Sequence, residues 1–312
     1  MGFRKSQRGN YLMSIDFNIA FDAYESVRHR LPRYEQTMAQ PKTINTLDDV
    51  ADDFDVFFLD AFGVLNIGEK VIPNVPERVA SLQKLGKRVL VVSNAAGFPH
   101  ATLVQKYKRL GYDFDPEDII TSRAALLKAT VHLKDKHWGL MATRSTGLED
   151  LEELRVSYIE EDSSIYDDVD GFLMLGSAAW TETRQALLEK SLRDKPRPVF
   201  VGNPDIVAPR ESGFSTEPGY YAHRLADNVG VVPEFFGKPF KNIYELAFER
   251  IGKVEKSRIL MVGDSLHTDI LGANCIGIQS ALVSNYGFFA NQDLETALKT
   301  AQMFPDYILA QP

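Results

Sequence analysis

Two short, wholly apolar runs set the terms for the rest of the chain. Val56-Phe57-Phe58-Leu59 leads straight into Asp60, and Ile259-Leu260-Met261-Val262 leads into Gly263-Asp264-Ser265, with Asp269 a few residues on. Both read as buried strands, and around them strand and helix alternate. Strands separated by single helices indicate βαβ units and a parallel sheet. The fold class is therefore α/β, with a Rossmann-like, doubly wound parallel core. In such a sheet, ligands bind beyond the carboxyl ends of the strands, where Asp60 and Asp264 fall. Two carboxylates delivered there point to an oxygen-ligand metal site, and hard Mg²⁺ prefers one or two carboxylates, retained waters and a substrate phosphate.

The strand Val56–Leu59 is followed by a loop through Gly63 and Gly68. Asn74-Val75-Pro76-Glu77 then predicts a helix start, with Asn74 as N-cap and Glu77 at the capping-box position. A strand over Arg88–Val92 ends in Ser93-Asn94, a helix over His100–Leu110 stops at Gly111, and Ile119–Ser122 is a short strand. From 132 to 232 the texture changes to strands at Trp138–Ala142, Tyr158-Ile159, Gly171–Leu175 and Pro198–Val201. Helices fit there at Leu148–Arg155 and Thr181–Arg193, and the stretch Asn203–Gly219 is loop-rich. The core pattern then resumes with a helix over 241–251, where Ile243, Ala247 and Ile251 share a face. The strand at Ile259–Val262, a helix through Ala273, and strands at Gln279–Val283 and Tyr307-Ile308 follow. The domains read as an N-terminal extension of one or two helices (1–45), a first core part (46–131), an inserted α/β domain (132–232) and a second core part (233–312).

Composition narrows the function classes. An apolar fraction of 44% and a charged fraction of 25% are ordinary for a soluble globular protein. A net charge of −8 argues against a nucleic-acid binder. No apolar run reaches the roughly 18 residues of a membrane span. The N-terminus is basic at Arg4, Lys5 and Arg8 but lacks the apolar stretch of a signal peptide. The lone Cys275 fits a reducing, cytoplasmic setting.

Asp60, Ser93-Asn94, Lys238, and Asp264 with Asp269 all stand at ends of core elements. Their order resembles the four motifs of the haloacid dehalogenase superfamily, together with Ile72-Pro73, Asn203-Pro204-Asp205, Gly237-Lys238-Pro239 and Gly263–Ile270. An inserted domain after the third strand is similar to the C2-type cap of the class IIA group, which includes nitrophenyl-phosphate, sugar-phosphate and pyridoxal-phosphate phosphatases. The resemblance spans residues 50 to 310. It implies a Mg²⁺-dependent phosphatase acting on a small phosphorylated metabolite through an aspartyl-phosphate intermediate. On that pattern Asp60 is nucleophile and metal ligand, and Asp264 is the second direct ligand. The backbone carbonyl of Phe62 is a third ligand, and Asp269 binds a metal water or orients the site. Ser93, Asn94 and Lys238 hold the phosphate. The cap loop supplies specificity, with Arg210, Glu211 and Phe214 as candidates and Arg144-Ser145 as a second cap position. Caps of this class often contribute to dimerisation, so a homodimer is the quaternary state the resemblance leaves open.

One position departs from the pattern. Phosphatases of the superfamily carry a second aspartate two residues after the nucleophile, as the acid for the leaving group, and this chain has Phe62. Acid–base help is worth about 10²–10⁴-fold, so its loss slows turnover of poor leaving groups. His267 and Glu69 are the nearby substitutes, His267 reading as an exposed side chain beside a helix start. Two other outcomes follow from the same residue: a degenerate site that binds a phosphate ligand without turnover, or a metal-free hydrolase like the true dehalogenases. Retention of Asp264 and Asp269 favours the metal-dependent branch.

Overall fold

The computed structural model describes residues 15–34, 40–210 and 213–312. Its core is a seven-stranded sheet in which every pairing is parallel. The order is Lys42–Ile44, Tyr307–Leu309, Gln279–Val283, Ile259–Gly263, Val56–Leu59, Arg88–Ser93 and Ile119–Thr121. The apolar runs alternate their side chains between two buried faces. Phe57, Leu59, Val89, Val91, Leu260 and Val262 pack under the helices Val75–Lys84 and His100–Arg109. Val56, Phe58, Leu90, Val92, Ile259 and Met261 pack under Ser122–Thr130 and Lys241–Ile251. Helices on both faces explain why these strands read as continuous apolar runs.

Residues 42–44, read from sequence as part of the extension, form the edge strand of this sheet. A second sheet of five parallel strands runs Glu234–Phe235, Val199–Val201, Gly171–Met174, His137–Met141 and Arg155–Tyr158. One of its faces is covered by Glu182–Asp194 and Pro218–Val229. Its other face, through Trp138, Leu140 and Leu173, joins the cluster that includes Leu126 of the core. The loop-rich stretch folds into a short hairpin, Val207–Pro209 against Phe214–Thr216. No described helix is long and apolar enough to cross a membrane.

Two local expectations are corrected. Asn74 precedes the helix Val75–Lys84 but sits at φ 65° and makes no side-chain cap, so no capping box forms; Asn tolerates the left-handed region. Leu148–Arg155 is not a helix. Asp150 has φ 71°, which interrupts helical geometry, and its carboxylate is drawn away to the His100 N–H (2.7 Å) and to Arg123 (3.3 Å).

Candidate active site

Strand register builds the site. Leu59 pairs with Val262 on one side and Val91 on the other, so the residues just past these strands share one edge. Asp60 and Asp264 meet there, and the next turn brings in Asp269. Carboxylate oxygens of these three aspartates lie within 4.8 Å of one another. The Lys238 ammonium bridges two of them, 2.5 Å from Asp60 Oδ1 and 2.8 Å from Asp269 Oδ1. Burial opposes its charge, yet Asp269 and Asp60 together hold it above the usual lysine range. Burial likewise pushes Asp60 and Asp264 upward, Asp269 adding to both and Lys238 working against both.

The carboxylates are aimed by backbone donors. Asp269 Oδ2 accepts from the N–H groups of Asp264 and Ser265, and Asp264 Oδ2 accepts from Phe288 N–H at 2.7 Å. Gly63 (φ 80°) and Gly287 (φ 69°) leave the room Asp264 occupies. A Cβ on either would stand 2.3 Å or 1.8 Å from Asp264 Oδ2. Three buried carboxyl groups face a single ammonium, forming a set of hard oxygen donors whose ionised forms it does not fully compensate. That donor chemistry fits a divalent cation such as Mg²⁺ or Ca²⁺. Asp60, Asp264 and Asp269 are the side chains close enough together to share one.

Asp60 opens into a cavity of about 490 Å³ between core and cap. Ser93 lines it, its hydroxyl accepting from Ala95 N–H at 3.2 Å. Asn94 also lines it, but its amide is spent. Nδ2 donates to Asp205 (2.7 Å) and to the Lys238 carbonyl (2.9 Å), and Oδ1 accepts from Lys238 N–H (2.7 Å). Asn94, which the sequence pattern had touching substrate, thus holds the Lys238 backbone at both N–H and carbonyl. Phe62 is half-buried at the cavity wall, with Lys106 Nζ 4.9 Å and the Arg210 guanidinium 5.4 Å from its ring centre. Arg210 also pairs with the buried Glu217 at 2.8 Å.

The remaining candidates fall elsewhere. His267 is buried, not exposed, and bonded to Glu25 at 2.5 Å. Glu69 reaches the cavity rim and pairs with Lys106 at 3.0 Å. Arg144 lies outside on Glu160 (2.9 Å), while its neighbours Thr143 and Thr146 line the cavity. Phe214 packs on Phe288 at 5.2 Å, and Glu211 lies outside the described residues. Sequence reading missed Tyr24 and Glu217, and it quoted Asp205 without a role. All three line the cavity. Burial raises the Asp205 carboxyl to about 8 against its Asn94 hydrogen bond. The signal for Asp205 was present in Asn203-Pro204-Asp205; for Tyr24 there was none.

Residues 57–155 match a family described as haloacid dehalogenase-like hydrolase, and residues 235–311 match a HAD-hydrolase-like family. The chain is 27% identical over 276 residues to a 4-nitrophenylphosphatase of Schizosaccharomyces pombe, covering 82% of this chain and 91% of that protein. It is 25% identical over 225 residues to an acid sugar phosphatase of Staphylococcus haemolyticus, covering 72% and 82%. A crystal structure of a possible sugar phosphatase from Cytophaga hutchinsonii superposes with a TM-score of 0.76 at 24% identity, over 86% of this chain and 98% of the other.

Proposed function

This chain belongs to the haloacid dehalogenase-like hydrolases, and from that premise we propose that it is a Mg²⁺-dependent phosphatase of a small phosphorylated metabolite. The observation that carries this reading is the pairing of Asp60 with Asp264 across adjacent strands, with the Lys238 ammonium against Asp60. The phosphatase names of its relatives support it.

In this reading the free oxygen of Asp60 attacks phosphorus in line with the ester oxygen. The new O–P bond forms as the ester bond breaks, and the leaving group departs with the bond pair as its anion, which takes its proton from solvent. Water then attacks the aspartyl-phosphate and releases inorganic phosphate and free Asp60. Ser93 uses its hydroxyl hydrogen on a phosphoryl oxygen, and Lys238 adds a fixed positive charge beside it. Asn94 keeps Lys238 in place by gripping its backbone at both N–H and carbonyl. Asp60, Asp264 and the Phe62 carbonyl would hold the cation, with Asp269 behind them. Bound there, it neutralises phosphate charge and lets an anionic nucleophile approach an anionic ester.

Phe62 brings no acid to the leaving group. Phosphates with acidic leaving groups, aryl esters or acyl phosphates, need none, and we propose them as the better substrates. The test is phosphate release from aryl, acyl and alkyl phosphates with Mg²⁺, with EDTA, and in Asp60→Asn. The expected result is Mg²⁺-dependent release, lost with chelation and in the variant. Full activity in Asp60→Asn would remove the nucleophile assignment, and no release from any ester would leave a phosphate-ligand protein.

A further inference from the structure

Phe62 leaves the exit side of the cavity without an acid, but not without charge. In-line displacement puts the leaving oxygen on the far side of phosphorus from the attacking one. Asp60 attacks from the carboxyl edge of the core sheet, so the leaving oxygen points out into the cavity, toward the cap. Two cations stand on that wall. Lys106 reaches in from the core helix His100–Arg109, and Arg210 from the cap hairpin, directly after Val207–Pro209. Both converge on the Phe62 ring, 4.9 Å and 5.4 Å from its centre, and a ring face attracts cations.

Each cation is tied down on one side and open on another. The Lys106 ammonium donates to the Gly68 carbonyl (3.2 Å) and to Glu69 (3.0 Å), which leaves one of its three hydrogens. Arg210 uses Nε on the Ser215 hydroxyl (2.7 Å) and Nη2 on Glu217 (2.8 Å). Among the described residues nothing accepts from its Nη1, which carries two hydrogens. The side chains are 11% and 42% exposed, so both keep an open surface. Their partners do not cancel them. Glu69 is 74% exposed, where water screens the pair. Glu217 is buried, and burial pushes its carboxyl above the usual range. The cavity is therefore polarised along the line of attack, with carboxyl groups at the nucleophile end and cations at the exit.

We propose that Lys106 and Arg210 are catalytic residues that stabilise the leaving oxygen as it departs, by hydrogen-bonding its growing negative charge. This role rests on the phosphatase reading above. As the ester bond breaks, its electron pair passes to the leaving oxygen. The ammonium and guanidinium neutralise that oxygen in place and keep their own protons, and solvent protonates the anion after release. Fixed cations act most where most charge develops, so their contribution grows with the basicity of the leaving group.

The test measures kcat/KM, which covers the steps up to departure, for 4-nitrophenyl, 4-chlorophenyl and phenyl phosphate with Mg²⁺. It compares the full native chain with Lys106→Gln, Lys106→Arg, Arg210→Gln and Arg210→Lys. Removing one oxyanion donor from a closed site costs about 10²–10³-fold, and this wall is more open, so each glutamine variant is expected to lose about tenfold more on phenyl than on 4-nitrophenyl phosphate. Lys106→Arg and Arg210→Lys keep the charge and are expected to stay near the native ratio. Arg210→Gln leaves Glu217 without its partner, but a ratio between esters on one preparation does not depend on how much of it folds. A steeper series in only one glutamine variant assigns the role to that residue and overturns it for the other. Equal loss on all three esters, or none, in both variants overturns the proposal and leaves the phosphatase reading standing. No phosphate released from any ester by the native protein overturns both.

Discussion

Phe62 stands where a carboxylic acid would protonate the leaving alcohol, and its surroundings say how far that acid can be restored. The ammonium of Lys106 and the guanidinium of Arg210 both lie over its ring. An aspartate placed there would be held ionised by these two charges, which weakens it as an acid. We therefore expect Phe62→Asp to raise turnover of an alkyl phosphate by about a hundredfold, the bottom of the range for acid–base help. Turnover of 4-nitrophenyl phosphate should rise much less, because its leaving group needs no proton. The ratio of the two rates, measured as phosphate release, checks this, and an equal gain on both would show that the ring was obstructing the cavity. The positions of Asp60, Asp264 and Lys238 were legible from sequence, because the two aspartates directly follow apolar strands and the lysine stands just before a periodic helix. The role of Asn94 was not. Its amide is satisfied by Lys238 and Asp205, more than a hundred residues away, and hydrogen-bond saturation leaves no trace in local pattern.

The same limit explains the segment 148–154. Its composition suits a helix, but its conformation is set by partners on other segments. Asp150 accepts from His100 N–H, supplying from across the chain the cap that Pro99 cannot provide to the helix His100–Arg109. It also pairs with Arg123, whose side chain is 5% exposed and which reaches the Ala96 carbonyl at 3.1 Å. Losing a helix cap costs about 1 kcal/mol, and stripping a partner from a buried charge costs more. Asp150→Ala should therefore destabilise the protein by roughly 2–3 kcal/mol, read from the urea midpoint at constant slope. Asp150→Asn keeps the capping oxygen and tolerates the positive φ, so it should recover about half of that loss. If alanine and asparagine behave alike, the cap contributes nothing and the ion pair carries the whole effect. Elements with strong periodicity, such as Lys241–Ile251 and the core strands, needed no such distant partner, which is why their positions could be read directly.

How cap, core and N-terminal segment hold together is open to a pH experiment. His223, on the cap helix Pro218–Val229, is 4% exposed and stacks on Phe235 at 4.9 Å, which in turn stacks on Phe240 at 5.3 Å where the core helix Lys241–Ile251 begins. Burial lowers its pKa from 6.5 to about 4, the nearby Arg30 and His29 adding to the shift and Asp227 opposing it. A group whose folded pKa is depressed binds its proton more readily when unfolded, so His223 costs stability as pH falls from about 6.5 to about 4, with no further change below. The full displacement corresponds to roughly 3 kcal/mol. Buried acids pull the other way. Asp205, raised to about 8, and Glu217, also raised by burial, favour the folded state below their unfolded pKa values and lose that contribution as pH rises through the folded ones. These contributions slope in opposite directions over the same pH range, so only a difference between two proteins isolates the histidine. His223→Phe keeps the stack and removes the titration. Its stability relative to the native chain should climb by about 2–3 kcal/mol between pH 7 and pH 4, measured by urea unfolding across that range. Parallel curves for the two proteins would mean that His223 takes up its proton as readily in the fold as in the unfolded chain, so that the seam between cap and core admits its charge.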